Sequence, residues 1–311
     1  MKAVRIHAFG EPEVLTYEEA PTPKPGPGEV LLRVHGAGVN PVDWKTRKGA
    51  GVAGQLGALP AILGWELAGE VVAIGPGETA FVAGDRVYAL SRFPAPAAAY
   101  AEFAVVPAAE LARAPAAIDL VRAGAVPLAA LTAWQALFEV AGLESGRTVL
   151  VHAAAGGVGH FAVQLAAWKG ARVVATASAG NRAFVEALGA DEVIDYGATP
   201  FETVARDVDV VIDAIGGEVR NRSWSTLRPG GLLVALNGAL AADAVPAGRR
   251  GVRRLVQPNG PQLTTLASLI DQGHVRPVVE QVFPLTEAAA AHRLSEQGHV
   301  RGKIVLDAIG G

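Results

Sequence analysis

The sequence predicts an α/β protein in two parts, a compact β-rich barrel domain and a doubly wound parallel sheet. Three observations carry this. Short apolar runs punctuated by Gly and Pro fill the N-terminal part of the chain, as closely spaced strands do. From Thr148 onward, apolar runs of strand length alternate with stretches of helical period. The first such unit, Thr148–Thr176, reads as strand, small-residue turn, helix, strand.

Size and composition are consistent with this. A chain of 311 residues is expected to form two domains, at roughly 100–200 residues each. Half the residues are apolar and 18% are charged, so a sizeable core is expected and disorder is not. A net charge of −3 gives no support for a nucleic-acid or membrane partner. The absence of cysteine excludes disulfides, thiolate–metal sites and a Cys nucleophile. The opening MKAVRIHAFGEPEVL lacks the apolar segment of a signal peptide. Gly, Pro and charge interrupt every run before the ~18 apolar residues of a membrane span. The expectation is a cytoplasmic protein.

In chain order, strands are expected at Lys2–His7, Glu29–His35, Glu66–Gly75, Gly84–Leu90 and Tyr100–Val106. Pro21–Gly28 is a break, and Gly36–Gly49 (GAGVNPVDWKTRKG) reads as a polar loop. Gly51–Pro60 reads as irregular. Helical spacing begins at Leu120–Gly124 and Pro127–Val140. The alternating part places strands at Thr148–His152, Arg172–Thr176, Glu192–Asp195, Val208–Asp213, Gly231–Leu236 and about Val252–Gln257. Helices fall at Val158–Lys169, Arg182–Leu188 and Arg220–Leu227. Ala239–Gly251 is irregular and leads into Arg249, Arg250, Arg253 and Arg254. The tail adds helix Gln262–Gln272, strand Val278–Phe283, helix Thr286–Ser295 and strand Gly302–Leu306. Its strands lie outside the alternating unit and are expected to return to the first domain. The expected domains are 1–118 with 260–311, and 119–259.

A turn that holds a dinucleotide needs small residues where the chain bends, where a pyrophosphate approaches the backbone, and where helix packs on strand. Those positions are Ala154, Gly156 and Gly159, with Gly157 and Val158 between them. The following helix offers its unpaired N–H groups and dipole to the phosphates. The end of the second strand discriminates between cofactors. An NAD site usually has an acid there for the ribose 2′-OH. This chain has TASAGNR, Thr176–Arg182, without one. Ser178 and Arg182 can bind a 2′-phosphate that a carboxylate would repel, so NADPH is the expected cofactor. The competing reading makes Ser178 a helix cap and Arg182 a solvated cation. Tyr196, after the third strand, reads either as lying against the adenine region or as packing at a loop.

The segments GEVLLRVHGAGVNPVDWKTRKG, LGWELAGEVVAIG, GDRVY, LTAWQAL, VHAAAGGVGHFAVQLA, LGADEVIDY, LRPGG and GKIVL occur in order over nearly the whole chain. Together they resemble the zinc-free quinone oxidoreductase branch of the medium-chain dehydrogenase/reductase superfamily. The resemblance implies a GroES-like β-rich catalytic domain built from both chain ends, beside a Rossmann cofactor domain. It also implies a homodimer formed through the last cofactor-domain strand, near Val252–Gln257. Residues matching Asn40 and Thr132 lie near the nicotinamide and ribose in this branch, and Asn237 is on a loop at the nicotinamide end. Lys303 resembles a common basic position near the cofactor cleft and equally reads as exposed.

Zinc-dependent relatives place a Cys where this chain has Asn40, and a His where Gly64-Trp65-Glu66 has Trp65. The four-Cys structural zinc lobe is missing too. Zinc needs three or four N, S or carboxylate ligands in tetrahedral array. A chain with no cysteine and seven scattered histidines offers no such set, so no metal site is expected. His152 and His160 flank the glycine turn and read as structural.

Without a Lewis acid, carbonyl–alcohol interconversion is disfavoured. A quinone or α,β-unsaturated carbonyl takes up hydride more readily, because it accommodates the charge as a hydroquinone or enolate. The protein must then position donor and acceptor and offer a hydrogen bond to the oxygen. Asn40 and Lys45 are the candidates. Asp43 equally reads as bonding its own loop, and Trp44 and Trp65 as pocket wall or core. Some relatives carry a tyrosine shortly after N-P-x-D; here TRKGAGVAGQLG has none, and no spacing nominates Tyr88 or Tyr100. The expected activity is NADPH-dependent, metal-free reduction of a quinone or an activated enone (enoyl) substrate, the two weighted alike. A non-catalytic NADPH-binding redox sensor or structural protein of the same fold stays open. An NAD-linked alcohol dehydrogenase is disfavoured.

Overall fold

The structure, a computed structural model, describes Met1–Gly310. It divides into two compact units. One comprises Met1–Leu131, Gln257–Gly273 and the chain from Pro277 onward; the other comprises Thr132–Val256 and His274–Arg276. No helix among the described residues is long and apolar enough to cross a membrane.

The first unit is built on a seven-stranded sheet. Its path runs Val279–Pro284, Lys303–Asp307, Glu29–Val39, Glu66–Ile74, Arg86–Leu90, Leu111–Arg113, with Phe103–Pro107 also pairing to Glu29–Val39. The tail does return to this sheet. Lys303–Asp307 runs antiparallel to the long central strand in the register Ile304↔Val39 to Asp307↔Gly36. A smaller sheet joins Leu15–Glu19, Lys2–Ile6 and Ala61–Ile62. Two of these strands, Leu15–Glu19 and Ala61–Ile62, were not expected from the sequence. Helix Leu120–Ala123 packs here because two glycines meet. A Cβ on Gly36 would stand 2.3 Å from the Val121 carbonyl oxygen, and one on Gly124 would stand 2.3 Å from that of Gly36.

One expectation needs correction. The stretch read as a polar loop contains a helix, Pro41–Arg47. Asn40 is its N-cap residue with extended backbone, Pro41 opens the first turn, and the Asp43 carboxylate accepts from the Asn40 N–H at 2.6 Å. Proline is pre-organised for that position and an acid in the first turn satisfies an orphan donor.

The second unit is a six-stranded parallel sheet. Its order is Glu192–Asp195, Arg172–Ala177, Thr148–Val151, Val208–Asp213, Leu227–Ala235, Arg250–Arg253. Val174, Leu150, Val211 and Leu233 lie side by side across four strands and join one buried cluster with Phe201, Trp224 and Leu227. Burying each such aliphatic side chain is worth about 1.5–3 kcal/mol. Strands covered on both faces read as unbroken apolar runs, which is why TVLV and RVVATA stand out in the sequence. Helix Pro127–Trp134 continues as a π-helical turn, Gln135–Val140. The helix expected at Arg220–Leu227 lies earlier, at Gly217–Ser223, and the strand that follows already begins at Leu227.

Candidate functional site

In the second unit the chain leaves strand Thr148–Val151 through Ala153, whose φ is +51°. The turn is tied down by Ala154 N–H donating to the Thr176 carbonyl at 3.1 Å and by Gly156 N–H donating to that of Ala153 at 2.9 Å. Gly159 then opens the ten-residue helix Gly159–Trp168. A Cβ there would lie 2.1 Å from the Ala153 oxygen and 2.7 Å from the Ala154 Cα, so only glycine lets the helix close on the turn. At Gly156 a Cβ would meet nothing nearer than the Ala153 oxygen at 3.3 Å. That position is a cradle: small, and open on the side away from the turn. A turn of small residues opening a helix suits a pyrophosphate, which takes its bonds from backbone N–H groups at the helix N-terminus.

The two histidines beside the turn are structural. His152 is buried, with Nδ1 at 3.0 Å from Thr176 Oγ1 and Nε2 at 2.9 Å from Ser223 Oγ. Burial drives its pKa down to about 4, with Asp213 opposing and Arg222 assisting. The neutral ring pins the first strand to the second and to helix Gly217–Ser223. His160 donates from Nδ1 to the Gly156 carbonyl at 3.0 Å.

Beyond the second strand, Ser178 Oγ accepts from Asn181 Nδ2 at 3.2 Å. Arg182 donates through Nη2 to the Val193 carbonyl at 2.6 Å and lies 3.9 Å from Glu186. One of its five N–H donors is thus engaged on the outer edge strand, while its side chain stays 55% exposed. An open cleft of about 540 Å³ runs along that edge, lined by Arg182, Glu186, Val193, Asp195 and Thr199 among others. Tyr196 is 57% exposed. Asn237 follows strand Leu227–Ala235 and donates from Nδ2 to the Ile215 carbonyl at 3.0 Å. Its own carbonyl accepts from Arg220, which also bonds the Ala239 carbonyl and forms a buried ion pair with Asp213 at 2.6 Å. Thr132 is buried near the end of helix Pro127–Trp134.

In the first unit Asn40 is almost wholly buried. Its Oδ1 accepts from the Lys303 ammonium, and its Nδ2 donates to Glu66 Oε1 at 2.7 Å. Lys303 Nζ also donates to that same Oε1 at 2.8 Å, and Leu128 N–H donates to Glu66 Oε2 at 2.7 Å. Glu66 fits only because position 38 is glycine: a Cβ there would lie 2.1 Å from Oε1. A buried ion pair is tolerated when its remaining lone pairs and hydrogens are satisfied, and here both carboxylate oxygens are. Lys303 is buried, which removes the reading of it as exposed.

A second chain of bonds starts at the same helix. Asp43 Oδ2 accepts from Tyr100 Oη at 2.9 Å as well as from the Asn40 N–H. Tyr100 Oη lies 3.2 Å from His292 Nε2, and His292 Nδ1 lies 3.1 Å from Arg47 Nη1. Arginine can only donate, so Nδ1 of His292 is the acceptor and Nε2 carries the hydrogen. That hydrogen goes to Tyr100, whose own hydrogen goes to Asp43. Arg47 is fully buried and bonds Glu296 at 2.6 Å. Burial pushes Asp43 up to about 7, partly offset by the Asn40 and Tyr100 hydrogen bonds. Burial, then Arg47, drives His292 down to about 3, and Glu296 opposes. Asp43 Oδ1 and Trp44 Nε1 are buried without a hydrogen-bond partner among the described residues. The ammonium groups of Lys45 and Lys48 stand 5.5 and 5.9 Å from the Trp44 ring centre, within cation–π range. Trp65 is core, its indole N–H donating to the Ala95 carbonyl at 2.8 Å. Tyr100, His292 and Arg47 escaped the sequence reading. Among the described residues no three His, Asp or Glu side chains converge as ligands for a metal.

Comparison with known proteins agrees with this architecture. The family described as alcohol dehydrogenase GroES-like domain matches residues 26–116, and that described as zinc-binding dehydrogenase matches residues 188–306. The chloroplast envelope quinone oxidoreductase homolog of Arabidopsis thaliana is 35% identical, over 99% of this chain and 98% of that protein. The NADPH-dependent alkenal/one oxidoreductase of the same plant is 35% identical, over 98% of this chain and 79% of that protein. The solved quinone oxidoreductase from Coxiella burnetii superposes with a TM-score of 0.94 at 38% identity, over 99% of each chain. With Asn40 and Trp65 at the positions of the zinc ligands, the chain belongs to the zinc-free quinone oxidoreductase branch of the medium-chain dehydrogenase/reductase superfamily.

Proposed function

We propose that this protein is an NADPH-dependent reductase that delivers hydride to a quinone or to an α,β-unsaturated carbonyl without a metal. The observation that carries the reading is the Asn40–Glu66–Lys303 arrangement, a fixed polar group where zinc-dependent relatives keep metal ligands. The relatives named as quinone and alkenal/one oxidoreductases support the two acceptor classes, and the NADPH named for the latter supports the cofactor.

The cradle at Gly156 fits a dinucleotide, and the residues that would hold it are Ala154, Gly156, Gly157, Val158 and Gly159. Thr132, Asn40 and Asn237 would contact its nicotinamide half, and Ser178, Arg182 and Tyr196 its adenosine half. The bound cofactor supplies the hydride. Asn40 offers its amide hydrogen to the acceptor oxygen as negative charge develops there, and Lys45 adds a cation on the same helix. Such a group works by being in place beforehand, so no reorganisation is needed as the charge forms. The proton that completes reduction comes from solvent or a nearby donor.

A homodimer is part of the same reading. Strand Arg250–Arg253 is the outer strand of its sheet, and Val252 and Leu255 are exposed beside it. A second copy pairing there would cover an edge otherwise open to aggregation.

The test is NADPH oxidation against quinones, enones and aldehydes, before and after chelation. Turnover of quinones or enones, insensitive to chelator, is expected. Turnover of aldehydes alone would overturn the mechanism.

A further inference from the structure

We propose that Lys303 is a positioning residue: it orients and polarises the Asn40 carboxamide as the hydrogen-bond donor to the acceptor oxygen. This rests on the hydride-transfer reading above. The amide has two possible orientations, and its neighbours permit one. With Oδ1 toward the Lys303 ammonium and Nδ2 toward Glu66, each end meets its complement. Flipped, Nδ2 would face a cation and Oδ1 a carboxylate, and both contacts would be repulsive.

Glu66 is tied in this position, since its other oxygen holds the Leu128 N–H and the missing Cβ of Gly38 leaves the space that Oε1 occupies. The ammonium also draws electron density from Oδ1, which makes the Nδ2 hydrogens stronger donors. One of those hydrogens is held by Glu66. The other has only a 3.5 Å contact with the Gly38 carbonyl, a distance too long for a good bond.

When hydride forms the new C–H bond, an electron pair of the acceptor shifts onto its oxygen. The remaining Nδ2 hydrogen stabilises that charge without leaving Asn40, and the proton is taken up from solvent. Lys303 thus acts on the substrate through Asn40, as a fixed internal cation with its counter-ion already in place.

The test removes both charges together, because Lys303→Met alone would leave Glu66 buried and unpaired. In the combined Lys303→Met, Glu66→Gln variant, checked for folding by thermal melting, kcat is expected to fall at least about tenfold. The KM for NADPH stays within about twofold, and Lys303→Arg recovers part of kcat. A folded double variant with the parent's kcat overturns the inference. A second readout needs no turnover. In isotope-labelled protein the Nδ2 hydrogens of Asn40, identified by their loss in Asn40→Asp, are expected apart from the bulk asparagine resonances. They should move into the bulk in the double variant; unchanged positions overturn the inference. A parent that reduces none of the quinones or enones with NADPH sinks the hydride-transfer reading instead, and the amide resonances still decide whether Lys303 holds Asn40.

Discussion

Tyr100 donates its phenolic hydrogen to Asp43 at 2.9 Å, both side chains being wholly buried. The bond links the connection that follows strand Arg86–Leu90 to the first turn of the helix that Asn40 caps. Tyr100 is seated there by Gly64, where any Cβ would lie 2.4 Å from its ring. Tyr100→Phe keeps the ring and removes two bonds at once. Asp43 Oδ2 loses a donor, and His292 Nε2–H loses its acceptor. Buried polar groups left unsatisfied cost about 1–3 kcal/mol each, so the variant is expected to lose ~2–4 kcal/mol in urea unfolding. A loss below about 0.5 kcal/mol would show that the chain from Arg47 to Asp43 contributes little to stability.

The same groups set the pH dependence of stability. His292 and His152 have folded pKa values lowered to about 3 and about 4 from 6.5. The unfolded chain therefore binds more protons than the native state in that window, and stability rises with pH up to about 6.5. Asp43 works the other way. Its folded pKa is raised to about 7 from 3.8, so the native state holds the extra proton and stability falls as pH rises through that interval. Between about pH 4 and 6.5 two histidines oppose one aspartate, so the net dependence favours higher pH. Above 6.5 only the Asp43 contribution remains and the curve turns over. A melting series from pH 4 to 8 should peak near pH 6.5. His292→Gln should flatten its acid limb; an unchanged limb in that variant would remove His292 from the account.

Much of the fold was legible because its signals are local. The parallel strands are unbroken apolar runs, and the glycine turn lies between two of them. The helix Pro41–Arg47 also carried a local signal, with Asn, Pro and Asp at the cap, first and third helical positions, yet its many polar residues read as a loop. The partners of Asn40 were not legible. Lys303 comes beside it only because the tail strand pairs Ile304 with Val39, so that the preceding residue falls next to Asn40. Tyr100 reaches Asp43 across 57 positions, and His292 reaches Tyr100 across 192. No periodicity records such pairings; the sheet register creates them.

The two glycines of the turn should fail differently. Gly159→Ala forces a methyl onto backbone at 2.1 Å, which side-chain motion cannot relieve. Overpacking typically costs about 1–3 kcal/mol, occasionally more, and the melting temperature should fall clearly. Gly156→Ala meets only the Ala153 carbonyl oxygen at 3.3 Å, a contact that a shift of a few tenths of an ångström relieves. Its melting temperature should stay near the parent's while NADPH affinity drops, because the methyl enters the cradle. If Gly156→Ala binds NADPH as the parent does, the pyrophosphate does not lie over the turn.

Arg182 has two tasks that a single substitution can separate. It donates to the Val193 carbonyl on the outer strand, and under the proposed function its remaining N–H groups meet the 2′-phosphate. The neighbouring Glu186 and Asp195 line the same cleft, so without the guanidinium a phosphate would meet acidic surroundings. Arg182→Ala should therefore weaken NADPH binding about tenfold or more, the loss of a charge-assisted contact, and leave NADH binding unchanged. Arg182→Lys keeps the charge but not the planar fork, and should fall between the two. The strand bond is half-exposed, so stability should change by less than about 1 kcal/mol. Cofactor titrations by fluorescence measure both affinities on the same preparations. Equal affinities for NADPH and NADH in the parent, or an unchanged ratio in Arg182→Ala, would assign Arg182 to the strand edge alone.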